Sequence, residues 1–176
     1  MKLHLGCGSK IVQGFVNIDI RQDIGVDIVD DISKLTKIPD NYADLIYACH
    51  VLEHISRHEN INTLKRWYSV LKFGGKLRLA VPDFEKIVKI YNSGISLKQL
   101  IGSLYGGQNY PNNCHYYCWD FSTLKEDLLF VGFKEIDRYE WRSTEHCHVD
   151  DYSQAYYPHM RKDDGVLMSL NVECTK

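Results

Sequence analysis

The sequence predicts an α/β fold, and two observations support this prediction. Short apolar runs typical of buried strands alternate, from about residue 50 onward, with stretches whose apolar residues recur at helical spacing. The first two runs, Leu3–Leu5 and Phe15–Ile20, are joined by a turn that contains Gly6 and Gly8. An acid, Asp19, stands near the end of the second run. Glycine lets a backbone turn tightly and approach a ligand closely, so this layout is typical of a nucleotide site.

The later elements follow from the same patterns. Further strands are predicted over residues 26–29, 44–48, 76–81, 133–137 and 166–174. Helical segments are predicted over 51–55, 61–71, 84–91, 97–104 and 121–131. Two stretches lack such patterns and read as insertions, one at about 92–119, rich in Gly, Asn and Tyr, and one at about 142–165, rich in His, Asp and Tyr.

Composition limits the class of protein. A chain of 176 residues is long enough for one core, so we expect a single domain over 1–176. A net charge of −2 gives no basic footprint for nucleic acid. No apolar run approaches the ~20 residues that span a bilayer, and no signal-peptide core is visible, so a cytoplasmic location is expected. The six cysteines form no CxxC pair, which argues against a disulfide framework or a zinc ribbon.

Four motifs stand in a fixed order along the chain: Leu5-Gly6-Cys7-Gly8, Val16-Asn17-Ile18-Asp19, Val51-Leu52-Glu53-His54 and Gly74-Gly75. In this order they resemble the successive motifs of class I S-adenosylmethionine-dependent methyltransferases. The nearest resemblance is to small bacterial methyltransferases (type 11-like) of surface-polysaccharide or small-molecule pathways.

The resemblance implies a Rossmann-like, doubly wound sheet of seven strands, mostly parallel with an antiparallel last strand. Only a few residues connect the first three strands, whereas a parallel crossover normally needs about 10–12 or more. Because the small enzymes that this chain resembles share such short connections, we expect the first crossover helices to be shortened to a turn or less. The two insertions, at about 92–119 and 142–165, would then cover the active site.

The resemblance also implies the cofactor, S-adenosylmethionine, and the residues that hold it. Asp19 would accept hydrogen bonds from the ribose hydroxyls, Asp31 would bond the adenine amino group, and the Ile32 backbone N–H would reach an adenine ring nitrogen. The full set of expected cofactor-binding residues is Leu5, Gly6, Cys7, Gly8, Asp19, Ile20, Asp31, Ile32, Cys49 and His50. The alternative for Asp31 is a solvated turn.

Three residues are candidates for a general base at the acceptor. His50 follows the fourth predicted strand, beside the expected position of the methyl group, although it could instead brace the cofactor loop. His115 is the second candidate because its insertion should lie over the acceptor. Asp83 is the third, with capping of the next helix as the competing role. His54 is expected to be structural.

A metal site is not expected, because methyl transfer does not require one. Several residues of the 142–165 segment have side chains that suit metals, but their spacing on a loop is not diagnostic. These residues are His146, His148, Asp150, Asp151 and His159.

We therefore expect a methyltransferase acting on an oxygen or nitrogen of a small-molecule or glycan-precursor acceptor, with a homodimer as a candidate oligomeric state. One alternative is a non-catalytic S-adenosylmethionine-binding or scaffold protein. Another is an NAD-dependent reductase, which is disfavoured because Gly6-Cys7-Gly8 lacks the third glycine of the dinucleotide fingerprint.

Overall fold

A computed structural model describes residues 1–159 and 161–176. The strands are β1 (Lys2–Leu5), β2 (Val16–Asp19), β3 (Ile28–Val29), β4 (Ala43–Cys49), β5 (Leu71–Pro82), β6 (Lys134–Arg138), β7 (Tyr156–Tyr157), β8 (Val166–Leu167) and β9 (Ser169–Thr175). The helices are α1 (Asn60–Val70), α2 (Phe84–Asn92), α3 (Leu97–Tyr105) and α4 (Phe121–Val131). Short 3₁₀ turns occur at Leu52–His54, Trp141–Ser143 and Tyr152–Gln154. No helix in the described part of the chain is long and apolar enough to cross a membrane.

Seven strands form one sheet in the order β3-β2-β1-β4-β5-β9-β6. Strands β1 to β5 pair in parallel, whereas β9 runs antiparallel to both β5 and β6. The chain reverses its direction of travel across the sheet between β1 and β4, and such a switch point is where open α/β sheets bind ligands. The predicted doubly wound fold with an antiparallel last strand is therefore confirmed.

The crossovers between β1, β2 and β3 contain turns and no helix, as predicted. Instead of a helix, Val12 and Phe15 pack on Leu45 and Tyr47 of β4 in a small core of their own. His146, from the segment after β6, stacks on the Tyr47 ring with centroids 4.0 Å apart. Residues distant in sequence thus cover the area that a crossover helix would otherwise cover.

The last predicted strand, 166–174, is divided in the structure. Val166 and Leu167 pair with Tyr157 and Tyr156 in a separate two-stranded ribbon, and β9 begins only at Ser169. Met168 lies between the two strands, and its N–H donates to the Ala155 carbonyl at 2.8 Å. An uninterrupted apolar run cannot reveal such a break, because both strands are compatible with the same pattern.

Helix α1 holds the loop after β3 in place. Trp67 is fully buried, and its Nε1–H donates to the Ile32 carbonyl at 2.8 Å. Arg66 donates to the carbonyls of Lys34 and Leu35 at 2.8 and 2.9 Å. These bonds fix residues 31–35 beside the carboxyl end of the sheet.

Candidate functional site

A cavity of about 970 Å³ opens at the carboxyl ends of β1, β2 and β4. This volume is near the upper end of the range of about 300–1,000 Å³ that is typical of small-molecule pockets, so it can accommodate a nucleoside cofactor together with a second molecule. Ten of the predicted site residues line it: Gly6, Cys7, Gly8, Asp19, Ile20, Asp31, Ile32, Cys49, His50 and His115. Leu5 does not line the cavity, since its side chain is fully buried in the main core.

The glycine turn after β1 is tightly held. The N–H groups of Gly6 and Cys7 both donate to the Ile18 carbonyl, at 2.8 and 3.1 Å. Gly6 has a φ of +64°, and a Cβ built on it would lie 2.3 Å from Val51 Cγ2. Gly8 has a φ of +51°. The turn therefore requires glycine both for its backbone conformation and for its contact with the later Val51 motif.

Asp19 closes this turn from the end of β2. Its side chain is buried, and its two oxygens accept the N–H groups of Gly8 at 2.8 Å and Arg21 at 2.9 Å. A carboxylate oxygen has more than one lone pair, so these bonds leave acceptor capacity toward the cavity. Asp19 both organises the turn and remains available to a ligand hydroxyl.

Asp31 stands at the start of the turn after β3. Its Oδ1 accepts the N–H and the hydroxyl of Ser33 at 2.9 and 2.7 Å, and Lys34 Nζ lies 3.2 Å from Oδ2. Partial burial works to raise the pKa of Asp31, but these bonds outweigh it, and the net pKa is lowered. The carboxyl is therefore ionised at neutral pH, and its Oδ1 is bound by Ser33 of its own turn.

Both ring nitrogens of His50 lie close to other side chains, and one of them is hydrogen-bonded. Its Nε2 lies 3.0 Å from Ser169 Oγ, and its Nδ1 lies 3.3 Å from Glu53 Oε1. Burial, with smaller effects of His115 and His54, lowers the pKa of His50 to about 3. Burial raises the pKa of the fully buried Glu53 to about 8. At neutral pH the contact between His50 and Glu53 therefore joins two mainly neutral groups and is not a salt bridge.

His54 and His115 meet edge to face, with ring centroids 4.8 Å apart. The Nδ1–H of His54 donates to the Cys114 carbonyl at 3.0 Å, and that of His115 donates to the Ser103 carbonyl at 3.2 Å. A carbonyl can only accept, so in the neutral rings the lone pair is on Nε2. Burial lowers the pKa of both rings, that of His115 to about 4.

Asp83, the third candidate base, does not line the cavity. It is fully buried, caps α2 through the Lys86 N–H at 3.4 Å, and accepts Arg138 Nη1 at 3.1 Å. The prediction that Asp83 acts as a base is corrected, because its carboxylate is committed to the helix end and to Arg138.

The structure disperses the residues of the 142–165 segment that suit metals. His146 is buried against Tyr47, and Asp151 accepts the Tyr47 hydroxyl at 2.6 Å. Among the described residues, the group with metal-compatible geometry is Glu53, His54 and His115, whose ligand atoms lie within 4.8 Å of one another. The sequence analysis considers Glu53 only as part of the Val51–His54 motif. Its position three residues after His50 is the feature of the sequence that could have indicated a role at the site.

The 92–119 and 142–165 segments also contribute to the cavity wall. The 92–119 segment supplies Tyr110 and Tyr116, and the 142–165 segment supplies Tyr152 and Tyr156. The Arg21 guanidinium lies 5.2 Å from the centre of the Tyr110 ring, which joins the 92–119 segment to the loop after β2.

The strand order and the glycine turn, with the cavity at the switch point, define the fold of class I S-adenosylmethionine-dependent methyltransferases. Residues 11–79 match the model of a family described as a methyltransferase domain. The chain therefore has the fold of these methyltransferases, and the family match covers 69 of its 176 residues. No curated protein matches the sequence.

Solved structures share this fold at low sequence identity. A SAM-dependent methyltransferase from Archaeoglobus fulgidus is 17% identical, with a TM-score of 0.61 over 99% of this chain and 85% of that chain. A possible histamine N-methyltransferase from Thermotoga maritima is 13% identical, with a TM-score of 0.61 over 99% and 81%. The 1,6-didemethyltoxoflavin-N1-methyltransferase of Burkholderia thailandensis, solved with bound 1,6-didemethyltoxoflavin and S-adenosylhomocysteine, is 12% identical, with a TM-score of 0.59 over 99% of this chain and 70% of that chain.

Proposed function

We propose that the protein transfers a methyl group from S-adenosylmethionine to an oxygen or nitrogen of a small molecule or glycan precursor. The observation that supports this proposal is that the Gly6–Gly8 turn, Asp19, Asp31, His50 and His115 all line one cavity. The glycine turn, His50 and His115 are far apart along the chain, so their convergence on one cavity supports a shared site.

In this proposal the glycine turn and the two aspartates bind the cofactor. Asp19 accepts the ribose hydroxyls with the lone pairs that Gly8 and Arg21 leave free, and Asp31 and the Ile32 N–H read the adenine. Ile20, Cys7 and Cys49 also line the cavity. The bound cofactor supplies a methyl group activated by a sulfonium, so the protein mainly has to align the acceptor and exclude water.

Of the two remaining candidate bases, His115 is better placed to receive a proton. Both nitrogens of His50 contact other side chains, Ser169 and Glu53, so we assign His50 to positioning. His115 has its Nδ1–H fixed on a carbonyl and its Nε2 lone pair available, and it lines the cavity. With a pKa of about 4, His115 is neutral at pH 7 and therefore in the form that accepts a proton.

The acceptor side of the cavity suits a ring or a sugar. It is lined by Tyr110, Tyr152 and Tyr156 and by amide side chains, including Asn109 and Asn113. Flat aromatic faces pack on rings, and amides exchange hydrogen bonds with hydroxyl groups. We further propose a cytoplasmic enzyme, with a homodimer as the state to test by light scattering.

Calorimetric titration with S-adenosylhomocysteine tests the cofactor assignment. We expect one site per chain in the wild-type protein and at least tenfold weaker binding in Asp19→Ala. The absence of binding in protein shown to be folded would overturn the proposal, and tighter binding of NADH would favour the reductase. Turnover on a panel of hydroxylated and amine acceptors then separates an enzyme from a non-catalytic binding protein.

A further inference from the structure

The cluster of Glu53, His54 and His115, called here the Glu–His–His cluster, has features that methyl transfer does not explain. Glu53 is fully buried, and neither carboxyl oxygen has a hydrogen-bond partner among the described residues. The Nδ1 of His50 is 3.3 Å from Oε1 but lacks hydrogen-bond geometry. An unpaired buried polar group is destabilising, so a native structure that keeps one calls for a missing partner.

The two histidines present the lone pairs that a cation needs. Their Nδ1–H groups donate to the backbone carbonyls of Cys114 and Ser103. Metal-ligating histidines usually show this arrangement, because a bond on one nitrogen fixes the ring and leaves the other nitrogen unprotonated. Both carbonyls belong to the 92–119 segment, which includes α3, so this segment orients the two rings.

The donor set indicates the kind of cation. Imidazole nitrogen favours zinc, iron and similar ions, whereas calcium and magnesium prefer oxygen ligands alone. Two imidazoles and one carboxylate, with ligand atoms within 4.8 Å of one another, also leave coordination positions open. We propose that Glu53, His54 and His115 bind one divalent first-row transition-metal ion, such as Zn²⁺, Mn²⁺ or Fe²⁺, at the wall of the cavity.

The position of this site suggests what the ion does. His54 and His115 both line the cavity, so an ion held between them borders the space assigned to the acceptor. A metal bound there would act as a Lewis acid that lowers the pKa of an acceptor hydroxyl, whose proton would then leave to solvent. In the metal-bound state the ion would replace His115 as the group that promotes deprotonation, because the His115 Nε2 lone pair would hold the ion. This part of the inference rests on the proposed function, and it selects acceptors with adjacent oxygens that chelate a cation, such as vicinal diols or catechols.

The binding test uses full-length protein freed of metal with a chelator. Titration with Co²⁺, followed by its visible absorption, and with Zn²⁺, followed by calorimetry, should each show one equivalent. We expect Glu53→Gln and His115→Gln to weaken Co²⁺ binding by at least about tenfold. His58→Gln, which changes an exposed histidine near the same turn, should bind as the wild type does.

Glu53→Gln keeps the side-chain volume and removes the buried carboxyl, so it should retain the fold, which circular dichroism verifies. The inference is overturned if the folded wild type takes up no stoichiometric Co²⁺ or if both variants bind as tightly as the wild type. The inference is also overturned if His148→Gln loses Co²⁺ binding while Glu53→Gln and His115→Gln keep it. A separate titration with S-adenosylhomocysteine in metal-free protein shows independently whether the cofactor assignment holds.

Discussion

His146 couples the stability of the fold to pH. It is 2% exposed, and its ring stacks on Tyr47. Its Nε2 lies 3.2 Å from Arg78 Nη1, which can only donate, so Nε2 is the unprotonated nitrogen and Nδ1 donates toward Thr144 Oγ1 at 3.4 Å. Burial and then the charge of Arg78 lower the pKa of His146 to about 4. Protonation would place two positive groups against each other in the interior.

The direction and size of the effect follow from this pKa. An unfolded histidine has a pKa of 6.5, so between pH 6.5 and about 4 the unfolded chain binds more protons than the folded one. The stabilising contribution is therefore complete above pH 6.5 and is lost as the pH falls toward 4. A difference of about 2.5 pKa units, at about 1.36 kcal/mol each, amounts to about 3 kcal/mol.

The variant His146→Gln isolates this contribution. Glutamine keeps an acceptor for Arg78 and takes up no proton in this range. From pH 7.5 to pH 4, we expect the free energy of unfolding to fall by about 3 kcal/mol more in the wild type than in the variant. Urea unfolding followed by tryptophan fluorescence measures it. His148→Gln, at an exposed histidine, should follow the wild type, and parallel pH curves for His146→Gln and wild type would refute the reasoning.

Three further substitutions test the site. Gly6→Ala places a methyl group 2.3 Å from Val51 Cγ2 at a φ of +64°, so we expect a loss of about 1–3 kcal/mol in stability, partly recovered by adding Val51→Ala. Asp19→Ala leaves two backbone N–H groups without their acceptor, so we expect the free energy of unfolding, measured with urea, to fall by about 1–3 kcal/mol. The control Asp23→Ala changes an exposed aspartate and should be near neutral. Equal effects of the two substitutions would contradict this prediction. Asp83→Asn should lower the melting temperature but keep methyl transfer, and a folded variant without turnover would restore Asp83 as a base.

The features that depend on residues close together in the chain could be predicted from the sequence. The glycine turn, Asp19 and the strands around them follow from residues close together in the chain, and the structure places them as predicted. The missing crossover helices were also visible, because too few residues separate the first strands to form them. The break at Met168 was not visible, since it depends on pairing with Tyr156 and Tyr157.

The roles of the charged site residues depend on partners far away in sequence. Arg138, 55 residues after Asp83, removes that carboxylate from the list of candidate bases. The burial of Glu53 depends on the segment that carries His115, whose neighbour Tyr116 donates its N–H to the Glu53 carbonyl at 2.8 Å. No periodicity or motif spacing encodes such contacts, so sequence reasoning could not distinguish a solvated glutamate from a buried one.

The position of β9 between β5 and β6 has a consequence for biosynthesis. During translation β6 leaves the ribosome well before β9, yet it has no strand to pair with until β9 arrives. The stacking of His146 on Tyr47 adds a second dependence of early residues on late ones. A nascent chain arrested before residue 141 would therefore expose an open strand edge and the face of Tyr47 that His146 covers in the finished protein. Such a chain would be a natural client for chaperones that shield apolar surface until synthesis is finished.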